Sequence, residues 1–489
     1  MNPLNVLMAA SEVVPFAKTG GLADVVGVLP KALHNLGHDI RVVMPRYYGV
    51  DKINYQLTPL EGSLAVPMGT MGTVCAEVYE GKLPNSEVPI YLIEYDDYFG
   101  RSGLYDDKGS GYEDNDLRFV FFSHAVMALA KKIAFHPDVI HVNDWHTAAI
   151  PALLNTTYAY DPDFAYTGSM LTLHNLQHQG HCGTGIMDIL GIGWEHLSEF
   201  EQWGGVNLLK GGMIHADKVT TVSAKYAQEI RTPAFGCGLE SVVNGCAFKL
   251  HGILNGVDYE EWSPAVDRLI PHRFDVEDMS GKAICKAQLQ QKFGLPQDTN
   301  VPLVGFVGRL AHQKGIALIA SAIHRLLAME IQIVMLGAGE PWAETFFTTI
   351  AQSYPHKFGV MIGYDNRVSH QIEAGSDLFL MPSLFEPCGL NQIYSLRYGT
   401  LPIVRATGGL DDTIENYHND SLHGNGFKFN DATEDALVNT LGWAVHTWFN
   451  DPSGFATLQR NAMRQRFDWN VAAQGYERLY YEIVAGRKG

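Results

Sequence analysis

A chain of 489 residues is too long for one hydrophobic core, and with 46% apolar residues and no low-complexity tract it is expected to fold as two ordinary globular domains. Its 35 basic against 53 acidic residues give a formal net charge of −18. Because no Lys/Arg-rich run supplies a local basic patch, nucleic acid is excluded as a partner. The six cysteines, at 75, 182, 237, 246, 285 and 388, make neither a CxxC pair nor a dense framework, which suits reduced thiols in the cytoplasm. No stretch approaches the ~18 uninterrupted apolar residues of a membrane span, so no membrane partner is expected. The opening MNPLNVLMAA lacks a basic n-region and reads as a first strand, not a signal peptide.

That strand is predicted over Val6–Ala10, with the loop Lys18–Leu22 (KTGGL) after it. A helix is predicted over Leu22–Leu36, stopped by Gly37 and kinked at Pro30. Lys18 is the first cation at the carboxyl end of a strand, and Gly20–Gly21 allow backbone to approach a ligand with no Cβ in the way. A second strand over residues 39–45 and a β-rich insertion over 71–95 follow. Asp96–Asp116, polar and rich in Gly, Tyr and Asp, is expected to be disordered or a working loop. A helix over 117–132 places Phe119, Phe122, Val126 and Leu129 on one face.

Two more strands, Asp138–Asn143 and Met170–Leu173, end at Asp144–His146 and His174–Asn175, delivering Asp144 and His174 to one rim. His174, His178, His181 and Cys182 superficially suggest a metal site. The paired CxxC or the HxxxH-with-glutamate context is missing, so no metal is expected there. Strands at 218–222 and near 250–254 complete the first domain, and Asn255–Gly256 is a turn. Asp258–Gln297 is charged, proline-punctuated and poorly periodic, which marks the domain boundary.

The second domain repeats the alternation, with strands predicted at 301–307, 333–336, 358–362, 377–381 and 401–405. After its first strand, Gly308–Gly315 (GRLAHQKG) carries Arg309 and Lys314. Later, Leu378–Met381 leads through a loop with Glu386 to a helix predicted at Gly389–Arg397. A buried strand at Leu401–Val404 follows, then a loop with Gly408–Gly409. Such sheets bind ligands at the carboxyl ends of their strands. Free N–H groups around Gly389 offer an anion seat, whereas Glu386 requires a neutral hydroxyl partner. A phosphate seat beside a hydroxyl-reading carboxylate suggests a sugar nucleotide. The tail from Ala432 onward is predicted helical.

EPCGL at Glu386–Leu390 and ATGGLDDT at Ala406–Thr413 resemble the bacterial glycogen synthases and plant starch synthases. So do EVVPFAKTGGLAD (12–24), HVNDWHTA (141–148), TLHNL (172–176), TVSAKYAQEIRTPAFGCGL (221–239), LNGVD (254–258) and GRLAHQKG (308–315). The resemblance covers nearly the whole chain in consistent order. It departs in HNLQHQGHCG, where His178 stands in place of a frequent aromatic residue, which leaves acceptor recognition by that loop open. It implies an α/β chain of GT-B architecture, two Rossmann-like doubly wound domains facing each other across a deep cleft. The domains would span 1–255 and 256–466, with a C-terminal helix in 467–489 crossing back to the first. Charge contributed by both halves would require the cleft to close.

What the resemblance implies for function is transfer of glucose from ADP-glucose to the non-reducing end of an α-1,4-glucan with retention, without a cofactor or metal. Lys18, His174, Arg309, Lys314 and Glu386 would be catalytic. Gly20, Gly21, Asn255, Cys388, Gly389 and Leu390 would join the lysines, Arg309 and Glu386 around the donor. Asp24, Tyr105, Asp144, His146 and Asn175 would meet sugar or acceptor. Competing readings are a related transferase using UDP-glucose or a small acceptor, and a non-catalytic glucan-binding homologue. An NAD-dependent dehydrogenase is disfavoured because no strand-associated GxGxxG with a later acidic residue is present.

Overall fold

The computed structural model of the protein describes residues 2–107 and 109–488. The chain divides into two compact units: the first runs to Val222, with Ala227–Gly256 and the chain from Trp469 onward, and the second holds Ser223–Tyr226 and Val257–Asp468. In the first unit, β1 (Asn5–Ala9) is buried from Val6 to Ala9, as a central parallel strand covered on both faces must be. Helix α1 (Gly21–Asn35) buries Leu22, Val25, Val26, Leu29 and Leu33 at helical spacing. Pro30 lies inside this helix without ending it.

After β2 (Asp39–Pro45) come β3 (Thr73–Lys82) and β4 (Pro89–Glu94). Helix α2 (Asn115–Lys132), β5 (Val139–Asn143), β6 (Gly168–Leu173), α3 (Leu208–His215), β7 (Lys218–Thr221) and β8 (Leu250–Gly252) complete the series. The main sheet runs β8-β7-β6-β5-β1-β2-β4-β3, parallel up to β4, with β3 antiparallel to it and the short strands Thr58–Pro59 and Leu64–Pro67 pairing antiparallel with β3 in turn. The β-rich insertion therefore extends this sheet. Ala9 pairs with Val142 and Asn143 with Thr172, so the carboxyl ends of β1, β5 and β6 lie side by side.

Of the two expectations for 96–116, disorder does not hold for the described residues, which form an ordered and largely irregular segment. It contains a short helix, Asp96–Phe99, and a two-residue hairpin pairing Asp106–Asp107 with Ser110–Gly111. Arg118 explains this order. Its fully buried guanidinium donates to Tyr98 O at 2.7 Å and Leu104 O at 2.9 Å, pinning the segment from beneath.

The second unit begins with α4 (Ser280–Lys292), inside the stretch expected to be irregular. Its helical period is masked because Lys282 and Lys286 point inward. Lys282 Nζ donates to Tyr398 O, Ala374 O and Thr400 Oγ1, and Lys286 Nζ lies 2.7 Å from Asp377. Burial pushes the Lys282 ammonium down to about 8. Then follow β9 (Leu303–Val307), α5 (Ile316–Ala328), β10 (Gln332–Gly337), α6 (Pro341–Ser353), β11 (Phe358–Ile362), α7 (Asn366–Gly375) and β12 (Leu378–Met381).

Helix α8 (Asn391–Arg397), β13 (Leu401–Arg405), α9 (Gly408–Thr413), β14 (Phe427–Phe429), α10 (Glu434–Asn450) and α11 (Pro452–Arg464) follow. The sheet order β11-β10-β9-β12-β13-β14 is parallel throughout. Two expectations fail locally. Helix α8 starts at Asn391 rather than Gly389, and the Gly408–Gly409 loop is a short helix. The three-residue β14 was not anticipated.

The last helix, α12 (Trp469–Lys488), packs within the first unit. Tyr480 OH lies 2.7 Å from His141 Nδ1 on β5, and Arg487 pairs with Asp217 at 2.9 Å. No described helix is long and apolar enough to cross a membrane.

Candidate functional site

In the first unit, the chain leaving β1 reaches Ser11 and Glu12, both buried. The Glu12 carboxylate organises the glycine loop: it accepts from Thr19 N, from Thr19 Oγ1 at 2.6 Å and from Gly20 N at 3.3 Å. Tyr105 OH donates to Glu12 Oε1 at 2.7 Å, lies 2.7 Å from Ser11 Oγ, and its ring stacks on His146 with centroids 4.8 Å apart. Lys18 and Asp24, also assigned to the site, are brought together as an ion pair at 2.7 Å, with the Lys18 side chain 52% exposed. A Cβ built on Gly20 or Gly21 meets no atom within 4 Å. Packing within the unit therefore does not demand these glycines.

Asp144, after β5, holds an unusual backbone, φ +53° and ψ −173°. Such a conformation costs on the order of 1–3 kcal/mol for a residue other than glycine and marks functional sites. Its carboxylate accepts from His174 N at 2.7 Å, yet burial pushes it up to about 7. His174 is neutral, because burial holds its imidazole down to about 3. Asn143 Nδ2 donates to Ala9 O, which turns Asn143 Oδ1 toward His174 Nε2 at 2.9 Å. Nε2 therefore carries the proton and Nδ1 is left as an acceptor.

The backbone N–H of Asn175 also favours the charged form of Asp144. His146 is buried, is pushed well below the usual imidazole range by that burial, and its Nδ1 has no hydrogen-bond partner among the described residues. Asn255 is set apart. It follows β8 at the edge of the sheet, buried, its Oδ1 without a partner among the described residues. His181 and Cys182 are engaged separately: the His181 ring stacks on Trp203 at 5.2 Å, and Cys182 Sγ faces Val206 O.

In the second unit, β9, β12 and β13 are neighbours, and their following loops interlock. Lys314 Nζ donates to Glu386 Oε2 at 2.6 Å, and Ser383 Oγ donates to the same oxygen at 2.9 Å. The carboxylate expected to face only a sugar hydroxyl thus also orients the lysine expected at the diphosphate. An ammonium has three protons, so two remain for an anion. Arg309 Nη2 donates to Gln313 Oε1 at 3.0 Å, and Gln313 Nε2 reaches Phe385 O, tying the arginine to the Glu386 loop.

Gly389 has φ +71° and lies outside α8, with the Gln392 side chain folded back over it to donate to Cys388 O and Gly389 O. Leu390 caps α8 and Cys388 is buried. The start of α9 presses on this loop so closely that a Cβ on Gly408 would lie 1.9 Å from Glu386 O, and one on Gly409 1.9 Å from Cys388 O.

Residues 5–245 match the family model of the starch synthase catalytic domain, and 287–461 that of the glycosyl transferases group 1. The chain is 56% identical over 491 residues to glycogen synthase 1 of Geobacter metallireducens, covering 100% of this chain and 98% of the relative. It is 46% identical to glycogen synthase of Koribacter versatilis, covering 98% of each. The chain belongs to the glycogen and starch synthase family.

Among solved structures, the catalytic domain of starch synthase IV from Arabidopsis thaliana, bound to ADP and acarbose, matches with a TM-score of 0.90 at 34% identity. That match covers 99% of this chain and 100% of the other. Sucrose-phosphate synthase from Thermosynechococcus elongatus, at 17% identity and a TM-score of 0.59, shares the fold. This family member therefore has the GT-B fold.

Several groups that shape these loops carry no sequence signal strong enough to single them out. Glu12 stood within the quoted EVVPFAKTGGLAD motif, but its role needs the chain reversal that brings Thr19 back to it. Gln313 stands inside GRLAHQKG and Ser383 just before EPCGL, and both read as ordinary turn polars until their partners are known.

Proposed function

We propose that this chain transfers glucose from ADP-glucose to the non-reducing end of an α-1,4-glucan, with retention of anomeric configuration and no metal cofactor. The observation that carries the reading is the Lys314–Glu386 pair on the two adjoining loops of the second unit. The ADP and acarbose bound to the starch synthase IV domain support an ADP-linked donor and a glucan acceptor. Breaking the glucosyl–diphosphate bond leaves growing negative charge on the leaving group. Arg309 offers it a planar fork and Lys314 two remaining ammonium protons. Charge-assisted hydrogen bonds contribute on the order of 1.5–3 kcal/mol each, and those that strengthen as charge develops lower the barrier most.

Glu386 takes two roles: it aims the Lys314 ammonium and accepts from a glucose hydroxyl. With Oε2 already engaged by Lys314 and Ser383, it orients rather than attacks. His174, neutral with its proton on Nε2, offers lone pairs and a main-chain carbonyl to an oxocarbenium-like sugar instead of positive charge. Tyr105, Asp144, His146 and Asn175 bind sugar or acceptor hydroxyls. Retention then proceeds by front-face transfer, in which the leaving diphosphate helps remove the acceptor proton.

The test is incubation of the purified protein with labelled ADP- and UDP-glucose and malto-oligosaccharide primers, with the new linkages read by NMR. α-1,4 extension from ADP-glucose is expected. β-linked product, transfer from UDP-glucose alone, or a trapped glycosyl adduct on a side chain contradicts the proposal. Glu386→Gln should lower kcat about 100-fold or more, since it loosens both the hydroxyl contact and the lysine. Near-full turnover would remove Glu386 from the mechanism.

A further inference from the structure

The first unit carries another cluster of ligating side chains that none of these loops uses. His196 ends the turn Trp194–His196, Glu199 lies in the four-residue helix Leu197–Phe200, and His215 closes α3. Glu199 Oε2 lies 2.9 Å from His196 Nδ1 and 2.8 Å from His215 Nε2, and one ligand atom from each residue falls within 4.8 Å of the other two. A tetrahedral centre with metal–ligand bonds of about 2.0–2.2 Å has neighbouring ligands about 3.3–3.6 Å apart. Small side-chain rotations therefore convert the present separations to coordinating ones.

The backbone behind two of the three ligands is already fixed. Lys210 Nζ donates to Ser198 O at 3.0 Å and Glu201 O at 2.6 Å, on either side of Glu199. Lys249 Nζ donates to Ile214 O at 2.8 Å and Ala216 O at 2.5 Å, on either side of His215. Asn155 Nδ2 holds His215 O itself at 2.8 Å. The carboxylate and His196 side chains are 34% and 31% exposed while His215 is 9% exposed, so an ion can enter from solvent and still rest against protein.

We propose that His196, Glu199 and His215 form a binding site for a divalent first-row transition-metal ion, with Zn2+ preferred. Two imidazoles and one carboxylate suit that class better than Mg2+ or Ca2+, and three protein ligands leave the fourth position for water. On binding, each ring shifts its proton to its other nitrogen, so the imidazoles stay neutral and the ion displaces two N–H···O contacts. The ion bridges the short helix to the end of α3. Its role is to clamp the two, and it is independent of the proposed glucosyl transfer.

The test uses the full chain, stripped with chelator and titrated with Zn2+ or Co2+. One equivalent is expected at this site, with Co2+ showing the visible bands of a four-coordinate N/O centre and no sulfur-to-metal band. His196→Asn and Glu199→Gln, both at half-exposed positions, should each weaken binding at least ~10-fold. They should also abolish the Zn2+-induced rise in Tm that the wild type shows. A cysteine-type charge-transfer band as the sole Co2+ signal, equal affinity in both variants and the wild type, or no binding at millimolar Zn2+ would each overturn the proposal.

Discussion

Gly409→Ala is the sharpest probe of the second unit's loops, because its effect can be worked from the structure. The added Cβ would stand 1.9 Å from Cys388 O, 2.6 Å from its carbonyl carbon and 2.7 Å from its Cα. All three are backbone atoms and cannot rotate away. Ordinary contact begins near 3.4 Å, so the two segments must part by about 3.4 − 1.9 = 1.5 Å at that oxygen. The same motion stretches the 3.1 Å bond from Gly409 N to Glu386 O. Overpacking of this kind costs about 1–3 kcal/mol in stability. A misplacement of ~1 Å in a catalytic group costs about 100-fold in rate. The expected result is kcat/KM for ADP-glucose reduced by about 100-fold with a folded protein whose Tm falls by a few degrees. Steady-state kinetics and a thermal melt read both. A variant within about threefold of wild type would refute the idea that contact with α9 sets the position of Glu386.

The glycine loop of the first unit makes the opposite prediction. Gly20 has extended φ of −149° and an open Cβ direction, so Gly20→Ala should leave Tm unchanged or raise it through ~0.4–1 kcal/mol of lost unfolded-state freedom. KM for the donor should nevertheless rise at least ~10-fold, and an unchanged KM in donor titrations would mean no ligand approaches that backbone. A third prediction concerns acid stability. His141, 1% exposed, is held down to about 3 by burial against an ordinary 6.5. The unfolded chain takes up the proton first, so this stabilisation is complete above pH 6.5 and is lost as pH falls toward 3. The slope is about 1.4 kcal/mol per pH unit for one group. His174 adds to this trend, while Asp144, raised to about 7, opposes it. Replacing His141 by Gln should therefore flatten the pH dependence of urea unfolding of the first unit by about that slope between pH 6 and 4. An unaltered slope would show that His141 is charged in the folded state.

How much of this was legible beforehand depended on where charged side chains point. Continuous apolar runs such as Leu378–Met381 read directly as strands because they are buried on both faces. The glycine-rich loops were found because a strand end, a glycine pair and a cation are adjacent in sequence. Helix α4 was missed because two of its lysines face inward and spoil the period. For stretch 96–116, disorder and a working loop could not be told apart because its order comes from Arg118, outside it. Helix α9 was hidden because GGLDDT is a poor helix former, its glycines being required by the approach to Glu386 and Cys388. The contact between Lys314 and Glu386 joins residues 72 apart, which no local pattern reveals.

The inward-facing cations that hid α4 belong to a wider set that bears on function. Arg118, Lys249, Lys282 and Lys286 are all buried, and each donates to main-chain carbonyls or pairs with an internal carboxylate. In a chain of net charge −18, such internal cations are unavailable to an anionic ligand. A diphosphate would then be repelled from most of the molecule and held only where cations emerge at strand ends. Lys18, Arg309 and Lys314, the cations proposed for the donor, lie in loops that follow strands, and each has a neighbour that fixes its direction (Asp24, Gln313 and Glu386). The aiming groups should matter nearly as much as the cations themselves, because a lysine that keeps its charge but loses its direction contributes little to a transition state whose charge appears at one fixed oxygen.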